Sequence, residues 1–541
     1  MHKPTAAAQQ AHQLMLQAAD YYGRDGYASA AALCERALAI SPEIPEALHL
    51  LGLCRWKSGA NLDGVLQLLQ QAAALKPNDA QLWHNLGIVR EQSGDLAGAR
   101  EAFRTAVLCD PARSDSQYNL GVMCTALKEE AAAEQAYRQA LATDGRHAGA
   151  AAGLAAVCEA RNQPEEAGRW LAVALQQDPH DAVANLTQAQ LDFRIGHYPQ
   201  AVTRLQDLLQ RPLSAINRSL ALGRLGMSYD RLGNYQLAFA AFMQAKQALN
   251  QQMWSSPEAD LYSPATAARI CRQFGLLTGN GPIPAEPKSA VAPVFLLGFP
   301  RSGTTLLDQI LSCHSRILVL EERETLQDVL QDFAISDRRL EEFAHCDAGL
   351  LQDYRDRYWS RVSDFLPQYS AHMLFIDKLP LNTLYLPLIR RLFPAARFIL
   401  ALRDPRDVVL SCFMQSFEPN AAMRNFFSLE TTVGFYSAVM QIARLALTSF
   451  PEQIHVLRYE ALVEDAASET GKLLAFLGLD WEPKVLEFHK TAQGRRIHTP
   501  SYHQVAQPIY QAACQRWRHY AQHLQTVLPR LQPFVDYFGY S

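Results

Sequence analysis

Pro42, Pro77, Pro111, Gly145 and Pro179 follow one another at steps of 35, 34, 34 and 34 residues, and this period constrains the fold more than any other feature of the chain. Leu51-Gly52, Leu86-Gly87, Leu120-Gly121 and Leu154-Ala155 keep the same beat, as do Gly59 and Gly94, with Gly196 three periods later. A breaker closing each unit and a small residue at a fixed place inside it describe paired helices that cross closely and stack on their neighbours, since one pair cannot bury its apolar face alone. About seven such units fit between residues 9 and 250, the last beginning near Ser214.

This pattern resembles the tetratricopeptide repeat. The resemblance implies a superhelix whose concave groove holds a peptide, a partner protein or a neighbouring subunit, so self-association stays open. Tyr21, Tyr22, Trp83 and Tyr118 are candidate groove aromatics, although large rings at helical spacing also fill the core between repeats. Lys plus Arg is 50 and Asp plus Glu is 54, a net charge of −4, which argues against a protein that coats nucleic acid and makes any anion site a local one. No apolar run approaches a membrane span and the first residues lack a signal core, so the expected setting is cytoplasmic. The ten cysteines show no CxxC pair or metal-ligand spacing; free thiols and no metal site are expected.

Residues 251–290 lose the beat and become rich in proline, serine and glycine, which predicts a connector with one helix around Pro264 to Phe274. Residues 291–541 then alternate short apolar runs with helical stretches, predicting an α/β domain on a parallel sheet. The predicted strands are Val294 to Leu297, Ile317 to Leu320, Leu374 to Ile376, Phe398 to Leu402 and Ile454 to Leu457. Each runs into polar residues: the Gly298 loop with Arg301, Glu321-Glu322, Asp377-Lys378, Arg403-Asp404, and Arg458-Tyr459-Glu460. Open parallel sheets bind ligands beyond the carboxyl ends of their strands, so these clusters should gather along one edge.

Gly298-Phe299-Pro300-Arg301-Ser302-Gly303-Thr304-Thr305 reads as strand, tight loop and helix, the arrangement that wraps a phosphate in backbone amides. Its glycine spacing fits G-x-x-x-x-G-K-[ST], except that Thr304 stands at the lysine. A kinase or ATPase uses that lysine on β- and γ-phosphates. A loop without it suits a donor without a γ-phosphate, the candidate being 3'-phosphoadenosine-5'-phosphosulfate (PAPS).

With these motifs in hand, the region from about Ala292 to the C-terminus resembles the PAPS-dependent sulfotransferases, specifically the tyrosylprotein sulfotransferase branch, and the whole chain resembles repeat-fused bacterial sulfotransferases. The resemblance implies that Arg301, Ser302, Gly303, Thr304 and Thr305 hold the 5'-phosphosulfate. It implies that Arg403 and Ser411, the latter on a helix beginning near Pro405, bind the 3'-phosphate, and that Tyr459, Arg516 and the segment Ser501 to Tyr510 also contact the donor. Glu322 is implied as the base that takes the acceptor proton, Lys378 as the cation on the bridging oxygen, and Ser501 as a hydroxyl stabilising the same transition state. The product would be 3'-phosphoadenosine-5'-phosphate (PAP), with no metal required.

Each site residue also has a plainer reading. Glu321-Glu322-Arg323-Glu324 suits a solvated first turn of a helix through Leu326, Arg403-Asp404 suits a surface ion pair, and Lys378 suits an exposed loop. His314, His489 and His503 have no partners that suggest a triad or metal. Three departures from the branch stand out: Gln415 where it has a further arginine near the 3'-phosphate, Glu324 where it has an arginine that reads acidic peptides, and Val319 where it has a disulfide cysteine. The competing functions are a P-loop kinase and a non-catalytic repeat scaffold carrying a degenerate nucleotide domain.

Overall fold

The computed structural model describes residues 6–249, 261–279, 292–369, 372–417, 420–488 and 514–540. Ser501 and Tyr510 therefore lie outside the described residues, as do His489 and His503. The chain forms two compact units, Met1–Gln210 and Arg211–Ser541.

The first unit is all helical: twelve helices among the described residues, from α1 (Ala6–Gly23) to α12 (Tyr198–Leu209), follow one another as six pairs. Asn61, Asp79, Asp95 and Asp181 start four of them by accepting a backbone amide of the first turn, which satisfies a donor that the helix leaves open. The periodic small residues have a steric cause. A Cβ on Gly87 would come within 2.7 Å of the Phe103 ring, and one on Gly121 within 2.5 Å of Tyr137. The turn inside each pair uses a left-handed residue at the same phase, namely Asp25, Gly59, Gly94, Lys128, Asn162 and Gly196. Glycine supplies that conformation without strain, which is why only half of these turns were visible as glycine markers. Tyr118 packs against the core of its repeat and Trp83 donates to the Pro77 carbonyl at 2.8 Å, so both rings serve the repeats themselves.

The second unit opens with a seventh pair, α13 (Ala215–Arg231) and α14 (Tyr235–Ala248). It repeats the same devices: Gly233 is left-handed and Gly226 faces Phe242. Helix α15 (Pro264–Thr278) follows. Five parallel strands then form one sheet in the order β2 (Ile317–Glu321), β3 (Leu374–Lys378), β1 (Val294–Gly298), β4 (Arg397–Leu402), β5 (Ile454–Arg458). All five expected strands are present, several extended by one or two polar residues.

Strand alternation divides the core. Phe295, Leu297, Phe375, Phe398 and Leu400 face one layer, which includes Phe242 of α14 and Ala267, Ile270, Phe274 and Leu277 of α15. Val294, Leu296, Ile376, Ile399 and Ala401 face the other layer with Leu306, Leu307, Ile310 and Leu473. The last repeat pair and α15 are thus parts of the sheet's own core. All ten cysteines are free thiols. Among the described residues no helix is long and apolar enough to cross a membrane.

Candidate active site at the carboxyl edge of the sheet

The strand order turns at β1, with β3 on one side and β4 on the other, and ligands of open parallel sheets bind where the order reverses. Strand β1 runs into residues 299–303, and these run into helix α16 (Thr304–Leu311). The loop is held tightly from below. The Gly298 amide donates to the Thr383 hydroxyl at 2.9 Å, and a Cβ on Gly298 would sit 2.5 Å from Ser302 Oγ and 2.8 Å from the Ala401 carbonyl. Arg301 adopts φ +71 and Gly303 φ +100. At Gly303 a Cβ would also meet Tyr459 at 2.8 Å, so glycine is required there twice over. No side chain caps α16, and the hydroxyl of Ser302 is buried without a hydrogen-bond partner among the described residues. Open amides at a helix start beside an unsatisfied buried hydroxyl make a seat for an anion.

Arg301 of the loop itself and Arg403 from the end of β4 bring positive charge to this seat. Arg301 Nε donates to Ser411 Oγ at 3.1 Å, and Arg403 donates to the Arg301 carbonyl at 3.1 Å while its guanidinium lies 5.1 Å over the Tyr459 ring. Ser411 is on helix α21 (Pro405–Met414), which begins just after Arg403. Asp404 does not pair with Arg403. It accepts from the side chain of Arg406, whose own guanidinium covers Trp517 at 4.1 Å.

On the other side of β1 lies a compact charge cluster. Lys378 ends β3 in register with Glu321 of β2. It is fully buried, with its ammonium 3.1 Å from Glu321, 3.0 Å from Glu322 and 3.7 Å from Asp308. Burial works to lower its pKa, but the three carboxylates outweigh this and hold it above the usual lysine value. Asp308, on α16 one turn past the loop, is itself buried, and burial pushes it up to about 6 against the pull of Lys378. Glu322 is not on a helix. It takes a left-handed φ of +47, donates its amide to the Lys378 carbonyl at 2.8 Å, and keeps 39% of its side chain exposed. The next helix starts only at Gln327. A buried ammonium holding an exposed carboxylate can position that carboxylate for proton transfer at the cleft surface.

Residues 293–483 match the model of the sulfotransferase family, and residues 15–80, 84–146 and 186–252 match the tetratricopeptide repeat. The chain joins tetratricopeptide repeats to a sulfotransferase domain. Relatives include an uncharacterized protein of Aquifex aeolicus, 34% identical over 44% of this chain and 32% of its own. A putative protein-tyrosine sulfotransferase of Caenorhabditis briggsae is 26% identical over 36% of this chain and 69% of its own. Nodulation protein NoeE of Sinorhizobium fredii is 29% identical over 38% and 54%. The chain therefore spans about a third of the length of the first relative and about half of the third. Among solved structures, a tetratricopeptide repeat protein from Parabacteroides merdae is 18% identical, covers 45% of this chain and 96% of its own, and superposes with a TM-score of 0.37.

Within the sulfotransferase domain, three of the plainer readings give way: the two glutamates do not open a helix, Lys378 is buried, and Arg403 forms no pair with Asp404. Arg516 also has a partner within the protein. Its guanidinium pairs with Asp230 of α13 at 2.7 Å, and Asp230 also accepts from Tyr520 at 2.6 Å. Asp407 of α21 accepts the amides of Gln515 and Trp517 at 2.7 and 2.8 Å, and burial pushes it up to about 6. Sequence reasoning missed Asp308, Asp407 and Asp230. An acid inside the apolar run Leu306-Leu307-Asp308-Gln309-Ile310 was the one available signal. Asp377, within β3 just before Lys378, faces the opposite layer and accepts from Thr325 at 2.6 Å and Tyr358 at 3.0 Å. Among the described residues no group of three or more His, Cys, Asp or Glu is arranged to hold a metal ion.

Proposed function

We propose that the sulfotransferase domain transfers a sulfuryl group from PAPS to an acceptor hydroxyl. The observation that carries this reading is the interlock of Arg301, Ser411 and Arg403 around a lysine-free loop, beside the Lys378–Glu322 pair. A glycine cradle, open helix amides and an unsatisfied Ser302 hydroxyl suit an anionic group, and the donor's two anionic ends suit the two flanking cation sets. Arg301, Ser302, Gly303, Thr304 and Thr305 would hold the 5'-phosphosulfate. Arg403 and Ser411 would hold the 3'-phosphate, the arginine by a charge-assisted fork, with Tyr459 walling the space between.

When bound, PAPS supplies sulfur for in-line exchange: the acceptor oxygen forms the new S–O bond as the bond to the 5'-phosphate oxygen breaks, releasing PAP. Glu322 takes the acceptor's proton at its exposed carboxylate. Lys378 orients that carboxylate and places positive charge where negative charge develops on the leaving oxygen. The assignment of Ser501 as a further stabilising hydroxyl, and of Tyr510 and Arg516 as donor contacts, remains part of the proposal. The names of several relatives make a protein tyrosine the first acceptor to test, with the repeats recruiting a protein or peptide that carries it. Chain segments 9–250, 251–290 and 291–541 are proposed as repeat, connector and catalytic regions.

The test has two arms. PAP should raise the melting temperature far more than ATP with magnesium, since a ligand at 100 times its Kd adds about 2.7 kcal/mol. PAPS labelled on sulfur should then pass label to tyrosine peptides or to a molecule in a lysate of the source cell. Equal shifts with ATP and no labelled product would overturn the proposal.

A further inference from the structure

We infer that Lys246, near the end of α14, is a donor-binding residue whose ammonium joins Arg403 and Ser411 at the 3'-phosphate end of the nucleotide. The inference rests on the reading of PAPS as donor and adds to it a ligand supplied by the last repeat pair.

The Lys246 ammonium donates to the Gln415 carbonyl at 2.7 Å, and the Gln415 amide in turn donates to the Ser411 carbonyl. The cation therefore sits at the end of α21, one helical turn from the serine that Arg301 holds. Cys412, beside Ser411, feels three charges, from Arg301, Lys246 and Arg403, and all are positive. Cations from the loop, from the end of β4 and from α14 thus converge on one turn of α21.

Lys246, which is half-buried, is also unlike the fully buried Lys378. Lys378 has three carboxylates, whereas no carboxylate among the described residues pairs with Lys246, and burial pushes it down to about 8. Its other titratable neighbour is the Cys412 thiol, which burial lifts to about 12, and no acid faces it from α13, α14 or α21. A single carbonyl at a helix terminus is a weak return for taking an ammonium out of water, and a phosphate would be a strong one. The space beside it is lined by the hydroxyl-bearing Ser219 and Ser416 and by Phe242, Phe417 and Phe427.

The full chain and its Lys246→Met and Lys246→Arg variants would be titrated calorimetrically with PAP and with ADP, which lacks the 3'-phosphate. Lys246→Met should bind PAP about tenfold or more weakly with ADP affinity unchanged, and Lys246→Arg should restore PAP binding. From about pH 7 to about pH 9.5 the wild-type PAP affinity should fall as the lysine loses its proton, while that of Lys246→Arg stays level. Should Lys246→Met fail to fold, the pH comparison between wild type and Lys246→Arg decides alone. Wild-type PAP affinity in Lys246→Met, equal loss for PAP and ADP, or parallel pH curves would overturn the inference. A wild-type chain that binds no PAP at all would instead overturn the donor reading beneath it.

Discussion

Replacing Asp308 by asparagine should make the protein more stable at neutral pH, although it removes a partner of Lys378. The carboxyl is buried and its pKa stands at about 6 against an ordinary 3.8, so folded chains bind its proton more tightly than unfolded ones. A group shifted in this direction adds its full stability below the unfolded value and loses it as pH rises through the folded one. The rise from 3.8 to about 6 corresponds to a loss on the order of 3 kcal/mol above pH 7 and roughly half of that near pH 5. Asparagine mimics the neutral acid and escapes this loss. Urea unfolding of wild type and Asp308→Asn at about pH 5 and about pH 7.5 should therefore show a gap favouring the variant that widens with pH, by an amount on the order of 1 kcal/mol. Asp377 and Asp407 are raised in the same direction but are common to both proteins, so they cancel in the comparison. A variant less stable than wild type at pH 7.5, or a gap that does not change with pH, would refute the reasoning, because Asp308 would then stabilise the cluster as an anion.

Arg403→Ala should weaken PAP binding by about 1.5 to 3 kcal/mol, the scale of a charge-assisted contact, measured by calorimetry. Glu322→Gln should leave that affinity intact and lower turnover about 100-fold or more, and full activity in this variant would remove Glu322 from the mechanism. A fragment beginning after Gly279 should not fold, since it strips Phe242, Ile270, Phe274 and Leu277 from the sheet core, each worth about 1.5 to 3 kcal/mol, a total comparable to a whole domain's stability. A fragment beginning at Arg211 should fold, bind PAP as the full chain does, and lose kcat/KM on the natural acceptor through lost recruitment; circular dichroism and steady-state kinetics distinguish these outcomes.

The parts of this molecule that were legible in the sequence are those written in local pattern. The repeat period, the five apolar strands and the helix bearing Ser411 each follow from residues a few positions apart. The charge cluster was legible only as a set of strand ends, because the contact of Lys378 with Glu322 depends on the pairing of β2 with β3 across more than fifty residues. The left-handed turn at Glu322 carries no glycine to announce it, so its residues read equally well as a helix start. Lys246, Asp230 and the pairing of Arg516 with Asp230 were invisible for the same reason: the partners lie far along the chain, and nothing in a repeat's own grammar says that its last pair will enter the core of a different fold.

That last pair has an evolutionary consequence. Whole repeats can be gained or lost upstream of residue 211 without editing any side chain in the sheet core beneath the loop that follows β1. The pair α13 and α14 cannot be exchanged in this way, because Phe242 and Asp230 answer to the sheet and to Arg516. Among chains built on this plan, the repeat number should drift freely while the final repeat keeps a sequence dictated by the domain it adjoins.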